Sequence, residues 1–210
     1  MCGQLNDQIV ADALEHINRS SIPAGNRVTL AIGLRAASRL ENAGEQLEAT
    51  LPVANSTSGI TPLVHDILLQ IDRWHADRQI DRIVVFFCEH VSRAAYQPRR
   101  LELLPIDRHW LDQLQQEKWP TQMLPTFTMD ADLLFSALVR QYLFVSLFRA
   151  CAESLASENA SRLAAMRGAE RNIGERIAEL TGRFNQVRQM AITEELLDIA
   201  GGFEAMSKDM

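Results

Sequence analysis

Residues that could carry out chemistry are present in the sequence, but their spacing matches no catalytic or metal-binding pattern. The histidines show neither HExxH nor HxxxH spacing, the patterns that direct two imidazoles to one zinc ion. They are His16, His65, His75, His90 and His109. The polar trio with the most chemical potential is Cys88-Glu89-His90, where a predicted strand ends. Because a strand that turns into a solvated loop has the same composition, we expect neither a catalytic residue nor a metal site there.

Cysteines and glycines likewise form no binding motif. Cys2, Cys88 and Cys151 include no CxxC pair, and we interpret them as reduced thiols of a protein that faces the cytoplasm. A dinucleotide site needs the three glycines of GxGxxG after a strand, and a phosphate loop needs GxxxxGK[ST]. Only Gly33 follows the first predicted strand. We therefore expect no bound nucleotide and no other cofactor.

The composition is that of a globular, mildly acidic protein. The 210 residues are 47% hydrophobic and 23% charged, and 21 Lys+Arg against 27 Asp+Glu give a formal charge of −6. A nucleic-acid partner would require a basic surface, so we do not expect one. We expect no membrane span, because no run of about 18 apolar residues lacks a charge, and no secretory signal in the opening MCGQLNDQIV.

Strand and helix patterns alternate over residues 1–125 and predict a small, Rossmann-like α/β domain with a mainly parallel sheet. The predicted elements are a helix over 5–17, a strand over 28–32, a helix over 34–40, a strand over 45–51, a helix that starts at Thr61-Pro62, and strands over 83–88 and 101–104. We expect Trp110, Trp119 and Met123 to cover the sheet.

Residues 126–210 are predicted to form one very long C-terminal helix. Six of the seven prolines lie within residues 23–120, the seventh is Pro125, and the last 85 residues contain none. Thr128 and Asp130 offer N-terminal caps, and the residues that follow are rich in good helix formers.

Apolar residues recur in this tail at alternating spacings of four and three, the 3.5-residue period of a left-handed coiled coil. We call the most apolar part of this repeat the seam. It consists of Leu163, Met166, Ile173, Ile177, Leu180, Phe184 and Val187. A helix with such a seam needs a partner helix.

Charge is segregated along the same tail. Six arginines against three glutamates over 162–188 give +3, whereas five acidic residues against one lysine over 194–210 give −4. The basic segment would suit an acidic partner surface. A solvated helix face with intrahelical pairs such as Arg171–Glu175 explains it equally well.

Several segments resemble the gamma subunit of F-type ATP synthases. Residues 152–166 are similar to the signature of that family, and so is RQMAITEEL over 188–196. The opening CGQLN resembles the family's CGGLN, and Gln97-Pro98 with the later LLP ending at Pro105 resembles a strand pair of its α/β domain. The likeness covers essentially the whole chain and is most specific in the last 60 residues.

The resemblance implies a subunit of the central rotor that carries out no chemistry itself. It would transmit torque between a membrane ring driven by ions and the catalytic ring of alpha and beta subunits. The implied partners are the alpha and beta subunits, the epsilon subunit and the c-ring, at the cytoplasmic face of a bacterial inner membrane. The alternatives are a small-molecule-binding α/β domain with a helical oligomerisation tail, and a scaffold that self-associates through the seam.

Contacts with the beta subunit are implied residue by residue. Glu158, Arg162 and Arg167 match a polar collar that faces acidic segments of beta, with Arg167 in place of the family's usual lysine. The positions that touch a loop of beta are Arg188, Gln189, Thr193 and Glu194. The family also carries a long basic helix and a strand ahead of its CGGLN segment. Neither precedes Cys2 here, and we expect a truncation or a start assigned too late.

Overall fold

The computed structural model describes residues 3–20, 22–92, 95–118, 121–123 and 126–208. The chain divides into two compact units, Met1–Arg162 (unit 1) and Leu163–Met210 (unit 2). The elements in chain order are α1 (Gly3–Arg19), a short 3₁₀ turn (Ala24–Asn26), β1 (Leu30–Ile32), α2 (Leu34–Asn42), β2 (Ala49–Leu51), α3 (Thr57–Arg78), β3 (Ile83–Ser92), β4 (Ala95–Leu104), α4 (Arg108–Gln116) and α5 (Ala131–Lys208). The predicted boundary between domains at residue 125 stays a prediction.

β1 and β2 form a short parallel pair. Leu30 lies opposite Ala49, and Ile32 lies opposite Leu51. Gly33 ends β1 with a φ of 98°, and its N–H donates to the Leu51 carbonyl at 2.8 Å. A β-carbon at this position would lie 2.6 Å from Cγ2 of Val53. Both the left-handed backbone and the close approach therefore require glycine at this turn.

β3 and β4 form an antiparallel hairpin, in which Ile83 lies opposite Leu104 and Glu89 lies opposite Gln97. The predicted fold class is confirmed as a small mixed α/β domain with one very long C-terminal helix. The strand pairing is not mainly parallel as predicted, because the longer of the two strand pairs is antiparallel. Only residues 93 and 94 separate the strands, whereas a parallel pair needs a crossover of a dozen or more residues.

The start of α3 was predicted wrongly. The helix begins at Thr57 after Ser56, so Pro62 lies inside the helix rather than in its first turn. Proline there removes one backbone hydrogen bond. The additional turn places Ile60 in the core with no exposed surface, and burial of such a side chain contributes about 1.5–3 kcal/mol. That gain offsets the lost hydrogen bond.

The core of unit 1 lies between α3, β4 and the first part of α5. Its buried residues are Ile60, Leu63, Val64, Ile67, Leu68, Leu103, Leu143 and Leu147. A smaller cluster joins α1, β1 and α2 through Val10, Ala31, Ala37 and Leu40. Both clusters follow the predicted periodicity, with the buried residues of α3 on one helix face.

α5 begins where the sequence predicts a cap. The carboxylate of Asp130 accepts the backbone N–H groups of Asp132 at 2.9 Å and Leu133 at 3.3 Å. These contacts satisfy two of the four N–H groups that a helix start leaves without a partner.

Ahead of α5, the placement of Trp110 and Met123 differs from the expectation that they cover the sheet. Trp110 contacts Tyr142 of α5, with ring centroids 5.4 Å apart, and Met123 is 80% exposed. Trp110 therefore packs on α5, and Met123 is mostly exposed rather than covering the sheet. No side chain of α4 is buried. Trp119 and Cys2 lie outside the described residues.

By length and composition alone, the segment Ala131–Gly201 of α5 includes a window apolar enough to cross a membrane. No such window was expected from the sequence. One helix of this kind is weak support for a membrane span, because an ordinary core helix passes the same test.

Leu68→Ala should lower the free energy of unfolding by about 2–5 kcal/mol, because it removes a buried side chain and leaves a cavity. Leu69→Ala is the matched control at the next position of α3. Leu68 is 8% exposed and Leu69 54%, so the control should change stability by about 0.5 kcal/mol or less. Urea unfolding followed by tryptophan fluorescence measures both variants, and equal losses would contradict this account of the core.

Candidate partner interface

Among the described residues, no group of three or more His, Cys, Asp or Glu side chains is placed to hold a metal ion. Individual histidines take part in local contacts. Nδ1 of His75 lies 2.9 Å from the Ile80 carbonyl oxygen, and the His65 ring lies 5.4 Å from that of Phe144. The side chain of His90 is not among those described.

Cys88 lies in the core of unit 1 and joins β3 to α5. Its backbone N–H donates to Oγ of Ser154, and its carbonyl accepts from Oγ of Ser157, both at 3.2 Å. Ser157 has no exposed surface, so this bond satisfies a fully buried hydroxyl. Burial raises the pKa of the Cys88 thiol to about 12 and that of Cys151 to about 11.

Glu89 belongs to a network across the hairpin rather than to a catalytic trio. Nε2 of Gln97 and Nε of Arg99 donate to Oε2 of Glu89 at 3.0 Å and 2.6 Å. The Gln97 hydrogen bond is the main reason why the pKa of Glu89 is lowered, and Arg99 adds to it. Successive side chains of a strand point to opposite faces, so Cys88 and Glu89 face different surroundings.

A cavity of about 890 Å³, which was not predicted from the sequence, lies within unit 1. Its walls come from α1, β1, α3, β3 and the first part of α5, and most of the lining side chains are apolar. One signal could have indicated it. Residues 28–32 and 83–87 are nearly continuous apolar runs, typical of strands that are buried on both faces of a sheet.

His16 and Cys151 both line this cavity and both have shifted pKa values. The His16 ring lies 5.6 Å from that of Phe86, and the Arg100 guanidinium donates to its Nδ1 at 2.8 Å. Partial burial, followed by the nearby charge of Arg100, lowers the pKa of His16 below its ordinary value of 6.5. The folded protein therefore favours the neutral imidazole.

The residues predicted to contact the beta subunit lie along α5. In unit 1, Nη2 of Arg162 lies 2.6 Å from Oε1 of Glu158, and Nη1 donates to Oδ1 of Asn159 at 3.0 Å. In unit 2, Oγ1 of Thr193 donates to the Gln189 carbonyl at 2.8 Å. These are contacts within the helix itself. The role of these residues toward a partner stays a prediction, as it does for Arg167, Arg188 and Glu194.

Other arginines of the basic segment are paired within the helix. Arg176 and Arg183 both contact Glu179, at 2.9 Å and 2.7 Å. Such exposed pairs contribute little to stability. They show that part of the basic segment is an ordinary solvated helix face. Arg167 and Arg188 are exposed as well.

The seam is exposed along its whole length. Its exposure runs from 50% for Leu163 to 65% for Phe184. Within the described part of unit 2, which is a single helical segment, no second element covers these side chains. A row of large apolar side chains in this state is typical of an interaction surface.

The fold matches that of solved rotor proteins. The central stalk and c-ring structure of the Tetrahymena thermophila mitochondrial ATP synthase contains a chain with a TM-score of 0.57 and 20% identity, covering 80% of this chain and 70% of that one. A chain of the Euglena gracilis mitochondrial ATP synthase rotor gives 0.56 and 14% identity, covering 91% and 70%. The fold is therefore that of a central-stalk protein.

Comparison of sequences identifies the family more specifically than comparison of folds. A family model described as ATP synthase matches residues 1–206. The ATP synthase gamma chain of Nostoc punctiforme is 27% identical, covering 99% of this chain and 72% of the relative. That of Limosilactobacillus fermentum is 28% identical, covering 98% and 68%. The chain belongs to the ATP synthase gamma-chain family, whose members are stalk subunits of a rotary enzyme, and the predicted resemblance is confirmed.

Both described cysteines should resist alkylation in the folded protein. At pH 8, a thiol with a pKa of about 12 is ionised in about one molecule in ten thousand, and only the thiolate reacts. Iodoacetamide followed by peptide mass spectrometry should leave Cys88 and Cys151 unmodified. The same treatment in guanidinium chloride should modify both. Rapid labelling of Cys88 in the native protein would contradict its placement in the core.

The protein should lose stability as the pH falls below about 6.5, the ordinary pKa of His16. In the window between that value and the lowered pKa, the unfolded chain binds a proton that the folded protein does not. His16→Asn keeps a hydrogen-bond acceptor for Arg100 but does not titrate, so its stability should depend less on pH. Thermal unfolding across this pH range measures the slope, with His109→Asn as the control. An unchanged slope in the His16 variant would refute the assignment.

Proposed function

We propose that this chain transmits torque in a rotary ATP synthase, without carrying out a chemical step itself. The observation that carries the proposal is the family match over residues 1–206. The groups most capable of chemistry have structural roles instead. The Cys88 thiol is buried, Glu89 accepts two hydrogen bonds across the hairpin, and His16 accepts one from Arg100.

Torque transmission requires a helix that resists bending. The exposed seam can provide this resistance by pairing with a second helix. In a two-stranded coiled coil, apolar residues at this spacing insert between the side chains of a second helix. An isolated helix gains no such packing, and most helical stability in proteins comes from it. We propose that a second helix covers the seam in the working protein and that the pair acts as the rotor shaft.

Charged side chains along α5 are proposed to face the beta subunit. The basic segment over 162–188 carries +3 in a protein of net charge −6, which favours an acidic partner surface. Hydrogen bonds to charged groups contribute about 1.5–3 kcal/mol each when they are well formed. The proposed contacts are Glu158, Arg162, Arg167, Arg188, Gln189, Thr193 and Glu194.

The α/β part of the chain is proposed to serve as the foot of the rotor. In this assignment, residues 1–125 meet the epsilon subunit and the membrane c-ring, and residues 126–210 enter the ring of alpha and beta subunits. The protein would then be peripheral, at the cytoplasmic face of a bacterial inner membrane. The ion that drives rotation, proton or sodium, is left open.

Co-expression of the chain with its cognate alpha and beta subunits tests the proposal. We expect the three to co-purify and the complex to hydrolyse ATP faster than alpha and beta without this chain. Failure to co-purify, although circular dichroism shows the chain to be folded, would refute a role as the stalk subunit of that enzyme.

Arg167→Gln and Arg188→Gln should each weaken binding to the alpha–beta complex by roughly tenfold or more, because each loses a charge-assisted hydrogen bond of about 1.5–3 kcal/mol. Arg183→Gln is the matched control. It removes an exposed pair with Glu179 on the same helix, which contributes about 0.3–0.5 kcal/mol. Biolayer interferometry measures the dissociation constants. Equal affinity of all three variants would contradict the proposed contacts.

One observation favours a second candidate, a domain that binds a small molecule. The cavity of about 890 Å³ in unit 1 has the size of a ligand pocket. Ligands of parallel α/β sheets bind outside the carboxyl ends of the strands. This cavity instead runs along the strands of two separate pairs, which is unusual for such a site. A rise in melting temperature on titration with nucleotides or apolar metabolites would support this candidate.

A further inference from the structure

Two serines of α5 bond to both backbone groups of a single strand residue. The Cys88 N–H donates to Oγ of Ser154, and Oγ of Ser157 donates to the Cys88 carbonyl, both at 3.2 Å. Ser157 and Cys88 have no exposed surface. Because the two serines lie three residues apart, they share one face of the helix. We call this pair of residues the serine clamp.

The hairpin leaves the backbone of Cys88 free for this contact. Cys88 lies opposite Pro98 of β4. Opposite residues of antiparallel strands alternate between pairs that exchange hydrogen bonds and pairs whose backbone groups point away from each other. Since both polar groups of Cys88 bond to α5, the pair with Pro98 is of the second kind, and the missing N–H of proline costs no bond to β3. At this residue, α5 therefore supplies the hydrogen bonds that β4 does not.

The hydroxyl groups of the serine clamp serve a contact between elements rather than the helix itself. Hydroxyl side chains inside a helix can bond to a carbonyl of the preceding turn. In unit 2, Thr181 and Thr193 do so, with Oγ1 to carbonyl oxygen distances of 2.8 Å. Oγ of Ser157 donates its proton to β3 instead, and Oγ of Ser154 accepts one from β3.

Apolar contacts and exposed charges restrain the rotation of α5 about its axis less strictly than the serine clamp. Leu143 and Leu147 are buried in the core, but the hydrophobic effect is non-directional. The ion pair between Arg140 and Asp72 joins α5 to α3 at the surface, where such pairs contribute little. Hydrogen bonds, in contrast, weaken steeply when their angle changes. The buried hydrogen bonds of the clamp therefore specify one rotation of α5 at this point.

We propose that Ser154 and Ser157 are positioning residues, which fix the rotation of α5 relative to β3 so that a twist of the helix is passed to the hairpin at Cys88. The inference rests on the proposed torque transmission and names the contact at which the long helix turns the α/β part of the chain. Loss of either hydroxyl leaves a backbone group of Cys88 without a partner. The helix then turns slightly before the hairpin follows, and part of each rotational step is lost.

Hydrogen exchange of the complete chain tests the contact. Ser154→Ala should speed exchange of the Cys88 amide by about tenfold, because this amide loses its acceptor. Ser154→Thr keeps the hydroxyl, so the amide should exchange as in the unaltered protein. Ser136→Ala is the matched control, since it removes an exposed serine from the same helix. Equal exchange of the Cys88 amide in Ser154→Ala and in the unaltered protein would overturn the proposal.

The number of ions pumped per ATP hydrolysed tests the positioning role, in membrane vesicles that contain the complete ATP synthase with this chain. We expect Ser154→Ala and Ser157→Ala to hydrolyse ATP within about twofold of the unaltered enzyme but to pump about half as many ions per ATP, because positioning residues act through geometry. Ser154→Thr should restore the ratio, and Ser136→Ala should not change it.

Two results would show that the serine clamp has no positioning role. One is an unchanged ratio in both alanine variants. The other is a fall of hydrolysis and pumping by the same factor, which is the effect of a serine that only stabilises the fold. A failure of the proposed function is a different result, because the unaltered enzyme would then pump equally well with and without this chain.

Discussion

The burial of one face of α3 against β4 and α5 is the interaction on which unit 1 depends. Ile60, Val64 and Leu103 have no exposed surface, and each contributes about 1.5–3 kcal/mol through burial. α5 is part of this core through Leu143 and Leu147, so the long helix is not an appendage that begins beyond the α/β layer. A change in this core would alter the anchorage of the helix that carries the family's most specific segments.

The two units leave different apolar surfaces uncovered. In unit 2, large apolar side chains recur at the 3.5-residue spacing that suits another helix. In unit 1, mostly apolar side chains surround a cavity of about 890 Å³. An exposed row of large apolar side chains such as that of unit 2 is typical of an interaction surface.

Local patterns predicted well those features that depend on local physics. Helical periodicity identified α1, and Asp130 indicated the start of α5, because caps and helix faces are determined by nearby residues. The antiparallel direction of β3 and β4 was missed because the apolar run over 83–88 is typical of a parallel strand. The predicted strands over 83–88 and 101–104 also left room for a crossover, whereas the observed strands extend to Ser92 and from Ala95. Pro62 misplaced the start of α3, since the burial of Ile60 outweighs a positional preference. The proposed contact residues depend on surfaces of other chains, which no pattern in this chain can test.

The exposed seam also has a consequence for the life of the protein in the cell. Chaperones and quality-control proteases bind exposed apolar segments, and a helix without tertiary packing opens readily enough to be cleaved. We therefore expect the lifetime of this chain to depend on the supply of its partners. Copies made in excess would be removed first, and degradation would thereby set the ratio of subunits without any matching of their synthesis.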